Sequence, residues 1–119
     1  MSTPSAADLA KTLSRYTYRF SCEAELQESI AQVLEQEAIR FAREVRINPR
    51  ERLDFLCGST AVEVKIRGSL SDLTRQVHGY LADDRIDELL VVTSRSRLCD
   101  LPLEIRGKPV RALCLRNGA

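Results

Sequence analysis

The sequence predicts an α/β domain in which a mixed central sheet is covered by helices. Three observations predict it. Helix-period and strand-period segments alternate in the order helix, strand, hairpin, helix, strand and tail strands. Residues 88–93, Glu-Leu-Leu-Val-Val-Thr, form a continuous apolar run of the kind a strand shows when both its faces are buried. Between the two strongest helical patterns lie two β-branched, apolar segments joined by a short polar turn, the signature of a hairpin.

Along the chain, residues 1–20 are mixed, with Leu9, Leu13 and Tyr16 at helical spacing. A short helix or a loosely docked arm is expected there, ahead of a single domain over residues 21–119. Leu26, Ile30, Val33, Leu34, Ile39 and Phe41 then recur every three to four residues, which predicts an amphipathic helix over about 22–37 with Ser21 as its N-cap. Val45 and Ile47 alternate with polar residues before Asn48-Pro49, a short strand closed by a turn. Residues 52–57 and 61–67 flank Gly58-Ser59-Thr60 as the two arms of the hairpin. A second helix follows Gly68, capped by Ser69 or Ser71 and carrying Leu73, Val77, Tyr80 and Leu81 on its apolar face. Gly107-Lys108-Pro109 divides Leu103 and Ile105 from Val110, Ala112, Cys114 and Leu115, so the tail is expected to form one or two edge strands.

With 119 residues, 44% hydrophobic and 29% charged, the chain has the size and composition of one globular domain. No apolar run approaches the roughly 20 residues of a membrane span. The first residues lack the basic and apolar regions of a secretory signal, so the expected compartment is the cytoplasm. Cys22, Cys57, Cys99 and Cys114 are widely spaced, and His78 is the sole histidine, which argues against zinc and against Cys-His or Ser-His chemistry. Cys57, Cys99 and Cys114 lie in apolar stretches and are expected to be reduced, small hydrophobes. His78 is expected on the surface. The net charge is +1, yet residues 40–52 carry five basic and two acidic side chains and residues 95–119 six and two. Fifteen of the 18 cations are Arg, whose planar fork suits phosphate; Arg50 and Arg52 stand close enough before Asp54 to reach one.

The chemistry points to the hairpin. On its second strand Val62, Val64 and Ile66 share one face and Glu63 and Lys65 the other. On its first strand a core on the Leu53/Phe55 side leaves Asp54 beside Glu63 and Lys65. Two carboxylates so close cannot both ionise cheaply unless a cation lies between them or one keeps a proton. A divalent ion with hard oxygen ligands and water, Mg²⁺ or Mn²⁺, is the economical solution, and Lys65 would orient the attacking water. The same trio also fits an ion-pair network on the polar face of a hairpin.

Asp54, eight intervening residues and Glu63-Val64-Lys65 together resemble the signature of the PD-(D/E)XK, or restriction-endonuclease-like, nuclease superfamily. Cys22-Glu23-Ala24-Glu25-Leu26-Gln27 is similar to the Ser-Glu-x-x-Ile-Gln start of small phage-type members such as VRR-NUC domains. Gln76-Val77-His78-Gly79-Tyr80 resembles the Gln-x-x-x-Tyr motif of RecB-like nucleases, with both side chains on one helical face. Leu53 stands where some members have Pro, and a second domain for sequence recognition is not evident.

The resemblance covers residues 22 to about 94 and implies an αβββαβ core and a metal-dependent DNA nuclease, structure-specific or non-specific, with Holliday-junction resolvases among the similar small enzymes. It implies that Asp54, Glu63, the Val64 carbonyl and Glu23 hold Mg²⁺ or Mn²⁺, with Glu25 the alternative helix acid. Lys65 then assists the water, Gln76 and Tyr80 position the substrate, Arg50 and Arg52 contact phosphate, and DNA is the partner of a homodimer or of a larger complex. A catalytically silent DNA-binding module, a tRNA-splicing type of RNA endonuclease and an adaptor domain remain open at this stage.

Overall fold

The computed structural model describes residues 3–116. Ser5 begins the first helix, α1 (Ala6–Ser14): its hydroxyl accepts from Asp8 N–H while the Asp8 carboxylate accepts from Ser5 N–H, closing a capping box. Ala6, Leu9 and Leu13 on this helix are fully buried, so the N-terminal stretch is a helix that shares the domain core. The second helix, α2 (Glu23–Gln36), starts after Cys22 without a side-chain cap. Ser21, the expected N-cap, instead gives its N–H and hydroxyl to the Glu25 carboxylate, which lies in the first turn where a negative charge meets the positive end of the helix.

Three antiparallel strands follow: β1 (Ala42–Asn48), β2 (Glu51–Cys57) and β3 (Thr60–Val64). The β2–β3 turn passes through Gly58 at φ +63°, a left-handed backbone that glycine adopts without Cβ strain. The helix α3 (Leu70–Leu81), capped by the Ser69 hydroxyl on Asp72 N–H, carries the chain over to β4 (Glu88–Thr93), parallel to β3. After a 3-10 turn (Ser96–Cys99) come β5 (Glu104–Ile105) and β6 (Lys108–Cys114). The result is an α/β domain of three helices on a mixed six-stranded sheet, ordered β1-β2-β3-β4-β6-β5. The long tail strand β6 lies inside the sheet, parallel to β4, and only the two-residue β5 forms the edge expected of the tail.

Two apolar cores sandwich this sheet. One is built by α1 and α2 on Phe55, Cys57, Val62, Val64, Leu90 and Val92; the other by α3, Ile86 and Leu98 on Leu53, Ala61, Leu89, Val91 and Val110. Alternate residues of β4 enter opposite cores, which is why its sequence is apolar throughout. Leu53 and Phe55 enter opposite cores as well, contrary to the single face that strict alternation predicts. The residue between them, Asp54, is where β2 and β3 stop exchanging backbone hydrogen bonds: the ladder runs through Phe55–Val62 and ends there. Of the four cysteines, all free, Cys57 is buried, Cys99 half-buried, and Cys22 and Cys114 exposed. Cys99 and Cys114 therefore depart from the expected buried role, because Cys99 ends the 3-10 turn and Cys114 ends β6 at the last rung of its pairing with β4. No helix among the described residues is long and apolar enough to cross a membrane.

Candidate active site

Beyond the Phe55–Val62 rung, side-chain carboxylates replace the missing ladder. Val64 N–H donates to Asp54 Oδ2 at 2.7 Å, and Asp54 N–H donates to Glu63 Oε1 at 3.4 Å. The Asp54 carboxylate thus reaches across to the N–H of Val64, the residue after Glu63, and the Glu63 carboxylate reaches back to the N–H of Asp54 itself. The Asp54 carboxylate therefore faces the end of β3 next to Glu63, whose charge environment also includes Lys65. Glu63 is 4% exposed and faces α3; Tyr80, fully buried there, places its hydroxyl 3.1 Å from Arg52 O and 3.3 Å from Glu63 Oε2. The phenol carries one proton. Donated to the Arg52 carbonyl, it leaves the phenol oxygen free to accept from a protonated Glu63.

Glu23, in the first turn of α2, completes the cluster from the other core: its Oε1 accepts from Ile66 N–H at 2.9 Å. Glu25 points to Ser21 at the surface, so of the two helix acids Glu23 is the one directed at the hairpin. Three carboxylates thus converge on the end of β3, and none of them forms an ion pair among the described residues. Burial raises the Asp54 carboxyl to about 6, with the Glu23 charge adding to the rise against the Val64 hydrogen bond. Burial, and then the charge of Asp54, pushes Glu63 well above the usual carboxylate range. Burial and the neighbouring carboxylates also hold the Tyr80 hydroxyl in its protonated form.

A close pair of carboxylates, one buried and one half-buried, favours either a shared proton or a cation between them. Among the described residues no three His, Cys, Asp or Glu side chains stand as a closed ligand set. The donors fit Mg²⁺ or Mn²⁺ nonetheless, because such ions bind through one or two carboxylates and keep several waters. Asp54 and Glu63 would supply those carboxylates, each with lone pairs beyond the ones its amide partner uses.

Lys65, half-buried and two residues beyond Glu63, opens into a cavity of about 320 Å³ that it lines with Arg50, Glu51, Asp72, Arg75 and Gln76. Gln76 and Tyr80 occupy adjacent turns of α3, one at the cavity and the other on Glu63. Arg50 lies in the cavity wall, whereas Arg52 is exposed on the β1 side with Glu44 at 3.6 Å. His78 is exposed, its carbonyl accepting from Arg106 Nε. Sequence reasoning missed Glu51. Its carboxylate rests against Gly79, where a Cβ would stand 2.7 Å from Oε1, so the absence of a side chain on α3 makes room for it. The pairing of a glycine one turn from Gln76 with an acid opening β2 becomes a signal only once the packing of α3 on β2 is known.

No family model, curated protein or solved structure matches the chain.

Proposed function

We propose that the protein is a divalent-metal-dependent nuclease of the restriction-endonuclease-like type that hydrolyses phosphodiester bonds in DNA. The observation that carries this reading is the interlocked pair Asp54 and Glu63: one half-buried and one buried carboxylate that form no ion pair among the described residues, followed at once by Lys65, whose charge acts on Glu63 from the wall of an open cavity. The order α2-β1-β2-β3-α3-β4 supports it, because it follows the αβββαβ succession expected of that core.

Asp54 and Glu63 are the residues to hold Mg²⁺ or Mn²⁺; the Val64 carbonyl adds a ligand, and Glu23 binds a second ion or a metal-bound water. When bound, the metal polarises a phosphoryl oxygen and lowers the pKa of its water. Lys65 orients the attacking water and stabilises the negative charge that develops on phosphate. Tyr80 fixes the Glu63 carboxylate and the β2 backbone together, and Gln76 contacts substrate from the cavity. Arg50 and Arg52 contact phosphates beside the scissile bond. One chain covers a short stretch of duplex, so paired active sites in a homodimer, or a larger host complex, fit cleavage of two strands.

The test is cleavage of labelled single-stranded, duplex, flap and four-way-junction DNAs with Mg²⁺, Mn²⁺ or EDTA, beside Lys65→Ala and Asp54→Ala. Metal-dependent cleavage lost in both variants is the expected result. DNA binding without cleavage identifies a silent binding module instead, and neither binding nor cleavage leaves an adaptor domain.

A further inference from the structure

A second polar cavity, of about 370 Å³, lies where the chain leaves β3 and β4. It is lined by Phe20, Ser21, Ile66, Arg67, Ser94 and Arg95. Its two guanidiniums are exposed and make no ion pair among the described residues. Both first-turn acids of α2 are engaged at lining residues, Glu25 by the N–H and hydroxyl of Ser21 and Glu23 by the N–H of Ile66.

The cavity is held in place by short polar ties. Thr93, fully buried at the end of β4, accepts from Arg95 N–H at 3.0 Å, and Arg95 Nε donates to Ile66 O at 3.1 Å. That last bond leaves both terminal nitrogens of Arg95 free to donate. Arg97 ties the same loop to Gly68 O at 3.3 Å. Ile66 is therefore gripped at both ends of its backbone, by Glu23 on its N–H and by Arg95 on its carbonyl. The Glu23 carboxylate and the Arg95 guanidinium are consequently held at the two ends of one residue, Ile66. A cavity that offers the Arg67 guanidinium and the two terminal nitrogens of Arg95, with no carboxylate among its lining residues, suits an oxyanion of phosphate geometry.

We propose that Arg67 and Arg95 form a phosphate subsite that seats a nucleic-acid phosphate beside the Asp54/Glu63/Glu23 cluster. This deepens the nuclease reading and rests on a nucleic acid being the ligand. The strand then runs from the Arg50/Lys65 cavity, past the carboxylates, to Arg67 and Arg95. The phosphate is either an internal diester or a 5′-terminal monoester, two sources of one chemistry.

The experiment is fluorescence anisotropy in EDTA, so that binding is read without any metal or cleavage. The probes are labelled single-stranded oligonucleotides of one sequence, with 5′-phosphate or 5′-hydroxyl. The proteins are wild type, Arg67→Glu, Arg67→Ala, Arg95→Lys and Arg111→Glu. The last carries the same charge change as Arg67→Glu on the exposed face of β6, and so reports what net charge alone does. Arg67→Glu is expected to weaken binding about tenfold more than Arg111→Glu, and Arg67→Ala to lower the slope of log affinity against log salt by about one contact. Arg95→Lys keeps the charge, yet one ammonium cannot both hold Ile66 O and replace the fork, so a loss of about threefold is expected. A loss confined to the 5′-phosphate probe assigns a terminal monoester; an equal loss with both probes assigns an internal diester. The proposal is overturned if Arg67→Glu binds within twofold of Arg111→Glu on both probes, or if the wild type binds neither. Failure of the nuclease reading is separate: it shows as absence of Mg²⁺-dependent cleavage by a protein that binds with these differences intact.

Discussion

Replacing Asp54 by Asn is expected to stabilise the metal-free protein near pH 8 and to leave it nearly unchanged near pH 4. The Asp54 carboxyl is raised from 3.8 to about 6, chiefly by burial. At about 1.36 kcal/mol per pH unit, ionising it in the fold costs roughly 3 kcal/mol more than ionising it in the unfolded chain. Because the folded value is the higher one, the stabilising contribution of the protonated group is full below about pH 4 and is lost as pH rises through about 6. The amide introduced by Asp54→Asn is neutral at every pH, and its carbonyl oxygen can still accept from Val64 N–H. The substitution also removes the charge that, after burial, raises Glu63 most. The expected gain near pH 8 is about 1–3 kcal/mol, or a rise in Tm of about 4 °C per kcal/mol for a domain of this size. Urea unfolding of both proteins in EDTA at several pH values measures it. Excess Mg²⁺ added near pH 8 then raises the wild-type stability and not that of the variant. Equal destabilisation of the variant at both ends of the pH range would refute the reasoning, since it would mean that Asp54 acts as an ordinary structural hydrogen-bond acceptor.

Three further outcomes follow from the same geometry. Lys65→Ala is expected to lower the single-turnover cleavage rate by about 10²–10⁴-fold while changing unfolding free energy by less than about 1 kcal/mol, read by quench-flow and urea melts. Tyr80→Phe strips the hydroxyl from Arg52 O and Glu63 and is expected to cost about 1–3 kcal/mol by thermal unfolding, as the Arg52 carbonyl loses its donor and the protonated Glu63 its acceptor. Leu9→Ala is expected to cost about 2–5 kcal/mol; a cost below about 1 kcal/mol would show that α1 is an arm rather than a wall of the core.

Much of the scaffold was legible because periodicity reports burial directly. The three-to-four spacing of Leu26, Ile30 and Leu34 marked α2, and that of Leu73, Val77 and Tyr80 marked α3. The unbroken run Leu89–Val92 marked a strand with a core on each side. The site was legible as residue types, not as geometry. Period-two reasoning assumes a continuous ladder, and the ladder ends where the Asp54 and Glu63 carboxylates take over the backbone hydrogen bonds, which sends Leu53 to the other core. Ser21 carried a capping residue's chemistry, but Glu25 claimed its hydroxyl. Arg67 and Arg95 belong to segments 28 residues apart that meet only because β3 and β4 pair in parallel, a tertiary fact no local pattern encodes.

The most direct test of the central claim, that the Asp54 and Glu63 carboxylates form a metal site that drives phosphodiester hydrolysis, is a Mn²⁺ titration with two readouts in one sample. Loss of the free-ion spin-resonance signal reports binding, and release of labelled DNA ends reports cleavage. The account predicts that both rise over the same Mn²⁺ range in the wild type and that both vanish in Glu63→Gln. Cleavage that persists in Glu63→Gln, or that proceeds in EDTA, would contradict it.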